Sequence, residues 1–306
     1  SFDINWPGPV KQVRFSTLTK WLECPAAGYH HMMNAKGRGG SNFSFLGSIF
    51  HRAVLECHMQ GTMDWIIEAG SRDYWHRLKS DHMMISPDSD YEGDWDFVVN
   101  RFLDRKTFYG KNMPQLVFET VQYIDKLGYE IVEIERRVEL GVVGRDDLKY
   151  SGTPDMILSD EDGNCVLADV KTSGMWDPIV RNKSPKKQSP DTLQVEHHTQ
   201  LRHYHWLLDR AGLYNKDDFT EYALILPANF IPYARPPKKK DSFGVYGGRG
   251  EVFASAPANP EAVARYEEDL LSWLNLIDAG YFARSYPKNY GRITCPMCPW
   301  KTKCLS

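Results

Sequence analysis

The sequence predicts a β-sheet domain of the α/β or α+β class with an N-terminal helical region and a Cys-rich C-terminal segment. The order of the segments is the first reason, because helical patterns come first and are followed by strands, a helix, a strand and a last helix. The size is the second, because 306 residues with 42% apolar side chains suffice for a sizeable core. This length allows one large domain or two of ordinary size.

Helical patterns fill most of the first 127 residues. Four segments show them: 15–24, 43–59, 64–79 and 94–127. In the first segment we expect Ser16 to be the N-cap and Pro25 to end the helix. A polar loop at 86–94 separates the last two segments.

Strand patterns begin after residue 128. Residues 129–142 alternate and carry β-branched side chains, which predicts one strand. Two shorter strands follow at 152–159 and 165–171, joined by the DEDGN turn at 160–164. The remaining predicted segments are a loop at 184–191, a helix near 193–211, a strand at 221–235, a loop at 236–241 and a helix at 260–279.

The DEDGN turn sets the register of the two strands that flank it. A five-residue loop centres the hairpin on Asp162, so Asp155 lies opposite Asp169. Side chains alternate between faces along a strand, so Lys171 shares the face of Asp169. The sequence therefore predicts two carboxylates and one ammonium on a single face.

Two opposed carboxylates repel each other and destabilise a sheet unless something offsets the repulsion. A divalent cation with oxygen ligands does so, and Lys171 is placed to hold or help deprotonate a water that the cation activates. The alternative is a solvated hairpin with surface charges, but the apolar residues at 156–158 and 166–168 argue against full exposure.

Several motifs resemble the PD-(D/E)XK nuclease superfamily. GTPD at 152–155 followed by DVK at 169–171 resembles the signature of that superfamily. GSIFH, from Gly47 to His51, and QLRHY, from Gln200 to Tyr204, match the G-x3-H and Q-x3-Y motifs of its RecB-like branch. The resemblance implies a restriction-endonuclease-like core, in which a mixed central β-sheet is flanked by helices.

The resemblance also implies roles for individual residues. His51, Asp155 and Asp169 would ligate Mg²⁺ or Mn²⁺ together with the backbone carbonyl of Val170. Lys171 would position the attacking water and stabilise charge at the phosphate. Gln200 and Tyr204, four residues apart on one helix face, would orient the nucleic-acid strand or the lysine. Taken without the resemblance, His51 is more often a core residue than a ligand, and the spacing of Gln200 and Tyr204 does not distinguish a site from a core tyrosine.

Cysteines concentrate at the C-terminal end. The six are Cys24, Cys57, Cys165, Cys295, Cys298 and Cys304. The C-x2-C-x5-C triplet and Cys24 resemble the iron-sulfur clasp of AddB-type and CRISPR-associated RecB-like exonucleases, which implies a 4Fe-4S cluster. Four thiolates also suit a structural zinc, so zinc remains the alternative. Cys57 and Cys165 are expected to be small apolar residues of a helix and a strand.

Three regions follow from these assignments. Residues 1–128 form the N-terminal helical region with Cys24 and the His51 helix, 129–285 the nuclease core, and 286–306 the clasp. The helix around Gln200 carries four further histidines: His197, His198, His203 and His205. A separate metal site there is conceivable, although no carboxylate shares the face of His198 and His205.

The overall charge bears on possible partners. The net charge of -3 excludes a histone-like binder whose whole surface is basic, but a local basic groove remains possible. Two loops supply basic residues that could contact a phosphate backbone: Lys183, Lys186, Lys187, Lys238, Lys239, Lys240 and Arg249. Four aromatic residues near them could stack on unpaired bases: Trp176, Tyr233, Phe243 and Tyr246. The alternative is that both loops are simply solvated.

No apolar run approaches the roughly 18 residues of a membrane span, and the first residues lack a signal-peptide pattern. We therefore expect a soluble, cytoplasmic protein with no membrane partner.

Together these features predict a metal-dependent DNA nuclease, an exonuclease on single-stranded ends. The alternative is a catalytically weak DNA-end-binding or recombination module. A third possibility, a zinc protein unrelated to nucleic acid, leaves the hairpin carboxylates unexplained. No G-x4-G-K-[ST] motif occurs, so unwinding would require a helicase or another recombination or adaptation partner.

Overall fold

The computed structural model describes seven parts of the chain, which contain eight helices and eight strands. These parts are residues 12–23, 42–85, 93–104, 113–142, 145–171, 195–227 and 253–278. The helices are α1 (Phe15–Glu23), α2 (Asn42–Gln60), α3 (Thr62–Glu68), α4 (Arg72–Ile85), α5 (Trp95–Leu103), α6 (Met113–Lys126), α7 (Val195–Arg210) and α8 (Pro260–Asp278). The strands are β1 (Gln12–Arg14), β2 (Glu130–Ile134), β3 (Val138–Val142), β4 (Arg145–Gly152), β5 (Met156–Ser159), β6 (Cys165–Val170), β7 (Phe219–Ile225) and β8 (Phe253–Pro257).

The strands form two mixed sheets flanked by helices, which confirms the α/β class. Five strands lie in the order β2-β5-β6-β7-β8, in which β6 and β7 are parallel and the other neighbours antiparallel. The second sheet has the order β1-β4-β3, with β1 parallel and β3 antiparallel to β4.

The helical region begins as predicted but is more divided. The predicted helix 43–59 matches α2, whereas 64–79 splits into α3 and α4 and 94–127 splits into α5 and α6. Ser16 is not an N-cap, because α1 already begins at Phe15.

The predicted strand 129–142 is two strands that belong to different sheets. β2 ends at Ile134 and β3 begins at Val138. Glu135, at the break, has a φ of 49° in the left-handed region, where residues other than glycine are uncommon. Three consecutive charged residues at 135–137 interrupt the alternating pattern at this break, and the prediction of one strand overlooked them.

The hairpin around the DEDGN turn has the predicted register. Met156 pairs with Ala168 and Ser159 with Cys165, which centres the hairpin on Asp162. The Asp160 carboxylate accepts hydrogen bonds from the backbone N–H groups of Asp162 and Asn164 and thereby holds the turn.

The five-stranded sheet is buried on both faces. On one face, helices α2 to α6 pack against side chains that include Met156, Leu158 and Val166. On the other face, Ile157 and Leu167 pack with α7, α8 and residues of the three-stranded sheet.

Helix α7 lies unusually close to β4. A Cβ atom at Gly152 would stand 2.7 Å from Leu207 Cδ1 and 2.9 Å from Tyr204 Cε1. Only a residue without a side chain therefore allows this approach, which sets the height of α7 above the sheets.

None of the helices within the described ranges is long and apolar enough to cross a membrane.

Candidate active site

Charged residues from three strands meet at one end of the five-stranded sheet. Glu135 follows β2, Asp155 precedes β5, and Lys171 follows β6, whose penultimate residue is Asp169. The strands β2 and β6 both run antiparallel to β5, so the ends of β2 and β6 lie beside the start of β5. The sheet topology thus gathers residues that are distant in sequence.

Asp155 is bonded to both neighbouring strands. Its Oδ2 atom accepts a hydrogen bond from the Val170 backbone N–H at 2.9 Å. Its backbone carbonyl accepts one from the Glu135 N–H at 3.1 Å. Both the main chain and the carboxylate of Asp155 are therefore held at the sheet end.

Asp169 is a buried carboxylate paired with Lys171. Only 1% of Asp169 is exposed, and the Lys171 Nζ atom donates to its Oδ1 atom at 2.8 Å and lies 2.6 Å from Oδ2. Burial and the nearby Asp155 carboxylate raise the pKa of Asp169, and the Lys171 ammonium partly counteracts the rise. A cation beside Asp169 would stabilise its charged form.

Helix α7 adds an amide and a phenol to this pair. The Gln200 Nε2 atom donates to Asp169 Oδ1 at 3.1 Å and to the Tyr204 hydroxyl at 3.2 Å. The Lys171 Nζ atom lies 3.5 Å from Gln200 Oε1, the limit of a hydrogen bond. Burial and the Asp155 charge raise the pKa of Tyr204, so its phenol remains protonated.

His51 reaches the site from α2. Its Nδ1 atom lies 3.2 Å from Glu135 Oε1 and 3.9 Å from Asp155 Oδ1. Burial alone lowers the pKa of His51, but the Asp155 and Glu135 carboxylates outweigh it and raise this pKa to about 9. The site thus holds a charged imidazole among carboxylates when no metal is bound.

The donor set suits a divalent metal ion. Two carboxylates and one imidazole are ligand types that Mg²⁺ or Mn²⁺ accepts. The Nε2 atom of His51 is buried and has no hydrogen-bond partner among the described residues, which is the state expected of a nitrogen reserved for a ligand.

As they stand, no three His, Cys, Asp or Glu side chains in the described ranges are arranged to hold a metal ion. The contacts of the carboxylates explain this arrangement. The Asp169 carboxylate accepts hydrogen bonds from Lys171 and Gln200, and the Asp155 carboxylate accepts one from the Val170 N–H.

Most of the predicted site residues are close together. The structure brings together His51, Asp155, Asp169, Val170, Lys171, Gln200 and Tyr204. The four clasp cysteines, Cys24, Cys295, Cys298 and Cys304, lie outside the described residues, as do the basic and aromatic residues of the two loops. Cys57 is buried and Cys165 partly buried, both as free thiols.

The other histidines on α7 do not form a metal site in the described part of the helix. His205 is buried between the Tyr222 hydroxyl at 2.8 Å and the Lys216 carbonyl at 3.0 Å. His203 is buried against Tyr266, whose hydroxyl lies 3.3 Å from its Nδ1 atom. Burial lowers the pKa of both rings to about 4, so both are neutral core residues.

Glu135 belongs to the site although its sequence position did not suggest it. It is one of four glutamates in the predicted strand 129–142, and composition does not distinguish them. The register of β2 shifts between Ile131 and Glu133, which changes the face of every residue beyond the shift. A pattern of period two cannot anticipate this shift.

Comparison with protein families agrees with the geometry. A family model described as the PD-(D/E)XK nuclease superfamily matches residues 14–305, nearly the whole chain. No curated protein matches the chain.

Proposed function

Because the chain belongs to the PD-(D/E)XK nuclease superfamily, we propose that it is a metal-dependent deoxyribonuclease that hydrolyses single-stranded DNA from its ends. The observation that carries this proposal is the convergence of Asp155, Asp169 and Lys171 at one sheet end, with Gln200 bonded to Asp169. The preference for single-stranded ends rests on the Gly47–His51 and Gln200–Tyr204 motifs, which resemble a branch made up largely of exonucleases.

Each side chain has a separate task in this proposal. Lys171, which is bonded to Asp169, would place its ammonium against the phosphate, where negative charge develops. Gln200 bonds to both Asp169 and Lys171 and so holds the carboxylate and the ammonium next to each other. Tyr204 accepts from Gln200 and fixes the orientation of its amide.

The metal would be held by His51, Asp155, Asp169 and the Val170 carbonyl. Bound there, Mg²⁺ or Mn²⁺ would supply charge stabilisation and lower the pKa of the attacking water. The buried His51 Nε2 atom and the facing carboxylates support this ligand set.

A nuclease assay on purified full-length protein tests the function. We expect end-labelled linear single-stranded DNA to be degraded with Mn²⁺ or Mg²⁺, and circular single-stranded DNA to persist. Lys171→Ala should abolish cleavage and leave the circular dichroism spectrum unchanged. Cleavage of circular DNA would show that the protein is an endonuclease and not an exonuclease. Undiminished cleavage by Lys171→Ala would exclude this active site.

The same assay separates an enzyme from a DNA-end-binding module. An end-binding module would retard linear DNA on a gel and leave it intact in the presence of Mn²⁺. The close contacts of Asp169 with Lys171 and Gln200 favour the enzyme, since a binding module has no need of a lysine beside a buried carboxylate.

We also propose that Cys24, Cys295, Cys298 and Cys304 hold a 4Fe-4S cluster that joins the two ends of the chain. The C-x2-C-x5-C spacing, together with Cys24 near the start of the sequence, supports it. Protein purified without oxygen should be brown and contain iron and sulfide. Colourless protein with one zinc ion would assign the clasp to zinc instead.

A further inference from the structure

Glu135 touches two of the proposed metal ligands by two different routes. Its carboxylate lies 3.2 Å from the His51 Nδ1 atom, and its backbone N–H donates to the Asp155 carbonyl at 3.1 Å. His51 comes from α2 and Asp155 from the start of β5, so a single residue joins the helical region to the sheet end.

The backbone of Glu135 is unusual for this purpose. Among the described residues other than glycine, Glu135 alone has a positive φ, at 49°. Such a conformation strains a residue with a side chain and persists where the surroundings impose it. The backbone N–H of Glu135 still continues the pairing of β2 with β5, and the positive φ ends the strand directly after this bond, with the side chain beside His51.

The carboxylate of Glu135 controls the orientation of the imidazole. The charged ring of the metal-free site carries a proton on each nitrogen. If a metal ion displaced the proton on Nε2, the hydrogen bond to Glu135 would keep the other proton on Nδ1 and leave Nε2 with a lone pair for the metal. Nε2 is the buried atom without a partner among the described residues. Metal-bound histidines are commonly held in this way by a carboxylate on their second nitrogen.

We propose that Glu135 is the positioning residue of the metal site: it holds His51 with Nε2 available as a ligand, and it fixes Asp155 through the main chain. This inference rests on the proposed function. In this proposal Glu135 is not itself a ligand and acts through its two neighbours.

Four variants separate the side-chain contact from the backbone contact. Glu135→Leu keeps the bulk and the strain but cannot accept a hydrogen bond, and Glu135→Gly removes the strain along with the side chain. Glu135→Gln keeps an oxygen acceptor. Glu139→Leu is the matched control, because Glu139 lies four residues on in β3 and pairs with Arg137 at the surface.

Mn²⁺ affinity, measured by calorimetry on the full chain without DNA, is the first readout. We expect Glu135→Leu and Glu135→Gly to weaken Mn²⁺ binding by about 10- to 100-fold. The Mn²⁺ affinities of Glu135→Gln and Glu139→Leu should stay within about threefold of that of the parent. Glu135→Gln retains an oxygen acceptor for His51, and Glu139→Leu leaves the contact between Glu135 and His51 unchanged. Binding by Glu135→Leu as tight as that of the parent, or by Glu135→Gln as weak as that of Glu135→Leu, would overturn the inference.

Thermal unfolding keeps the test decisive if a variant is unstable. Glu135→Gly should have a higher Tm than Glu135→Leu, because glycine adopts a positive φ without strain. If Glu135→Leu does not fold, Glu135→Gly gives the Mn²⁺ result. A lower Tm for Glu135→Gly would contradict the assigned backbone conformation.

Nuclear magnetic resonance of the metal-free protein distinguishes failure of this inference from failure of the proposed function. The hydrogen-bonded Nδ1 proton of His51 should be visible in the parent and in Glu135→Gln, and lost in Glu135→Leu. If the parent binds no Mn²⁺ but shows this proton, the metal-dependent function fails and the contact stands. If the parent binds Mn²⁺ but lacks the proton, only the role of Glu135 fails.

Discussion

Replacing Gly152 by alanine tests how the sheet positions helix α7. The new Cβ atom would stand 2.7 Å from Leu207 Cδ1, 0.7 Å inside the 3.4 Å at which ordinary contact begins. Leu207 is fully buried, and Tyr204 is bonded through its hydroxyl to Gln200, so neither neighbour can swing away. We therefore expect α7 to move away from β4.

The displacement has a cost in stability and in activity. Overpacking of this kind typically destabilises a protein by about 1–3 kcal/mol. A shift of 0.7 Å would also carry the Gln200–Asp169 contact, now 3.1 Å, beyond hydrogen-bond range. We expect the cleavage rate to fall by roughly 10- to 100-fold as Lys171 and Asp169 lose their alignment.

The control is Gly141→Ala. Gly141 lies in the neighbouring strand β3, and a Cβ atom there meets nothing within 4 Å. This substitution should be neutral or stabilise by up to about 1 kcal/mol. Urea unfolding and initial cleavage rates measure both variants. If Gly152→Ala is as stable and as active as Gly141→Ala, the close approach of α7 does not position the site.

Two further predictions concern the pH dependence of the free energy of unfolding, without metal. Burial lowers the pKa of His203 to about 4, so the stability that its neutral ring contributes is present above pH 6.5 and is lost as the pH falls through 4. The parent should therefore lose on the order of 3 kcal/mol of unfolding free energy between pH 7.5 and pH 4 because of this ring. His203→Phe should not show this loss when urea unfolding is measured at both pH values. The pKa of His51 is raised to about 9, since Asp155 and Glu135 outweigh burial, so its contribution is present below pH 6.5 and is lost as the pH rises through 9. His51→Asn should therefore reduce the fall in the free energy of unfolding between pH 6.5 and pH 9. An unchanged fall would contradict the charge assigned to this ring.

The sequence predicted the parts of the site that depend on local rules. The centre of the DEDGN turn gave the pairing of β5 with β6, and this pairing is confirmed by the match of Met156 with Ala168. The four-residue spacing placed Gln200 and Tyr204 on one face of α7, where their side chains do bond to each other. Loop length and helical period are properties of short segments and can be read directly.

The sequence could not predict features that depend on tertiary contacts. Glu135 and the two arginines after it interrupt the alternation, but three charged residues do not show that the next strand joins a different sheet. The strands β1, β4 and β8 were missed as well. β1 has only three residues, and β4 (RDDLKYSG) is too polar to show an alternating pattern. Such strands form because their partners, not their own sequences, favour them.

A double-mutant cycle on Asp169 and Lys171 tests the central claim most directly, namely that these two side chains act as one catalytic centre. Cleavage rates of single-stranded DNA would be measured under single-turnover conditions with Mn²⁺ for Asp169→Asn, Lys171→Met and the double variant. Because the ammonium and the carboxylate are in direct contact, we expect the double variant to lose no more activity than the more damaged single variant. Losses that multiply, or a single variant that cleaves like the parent, would contradict the account.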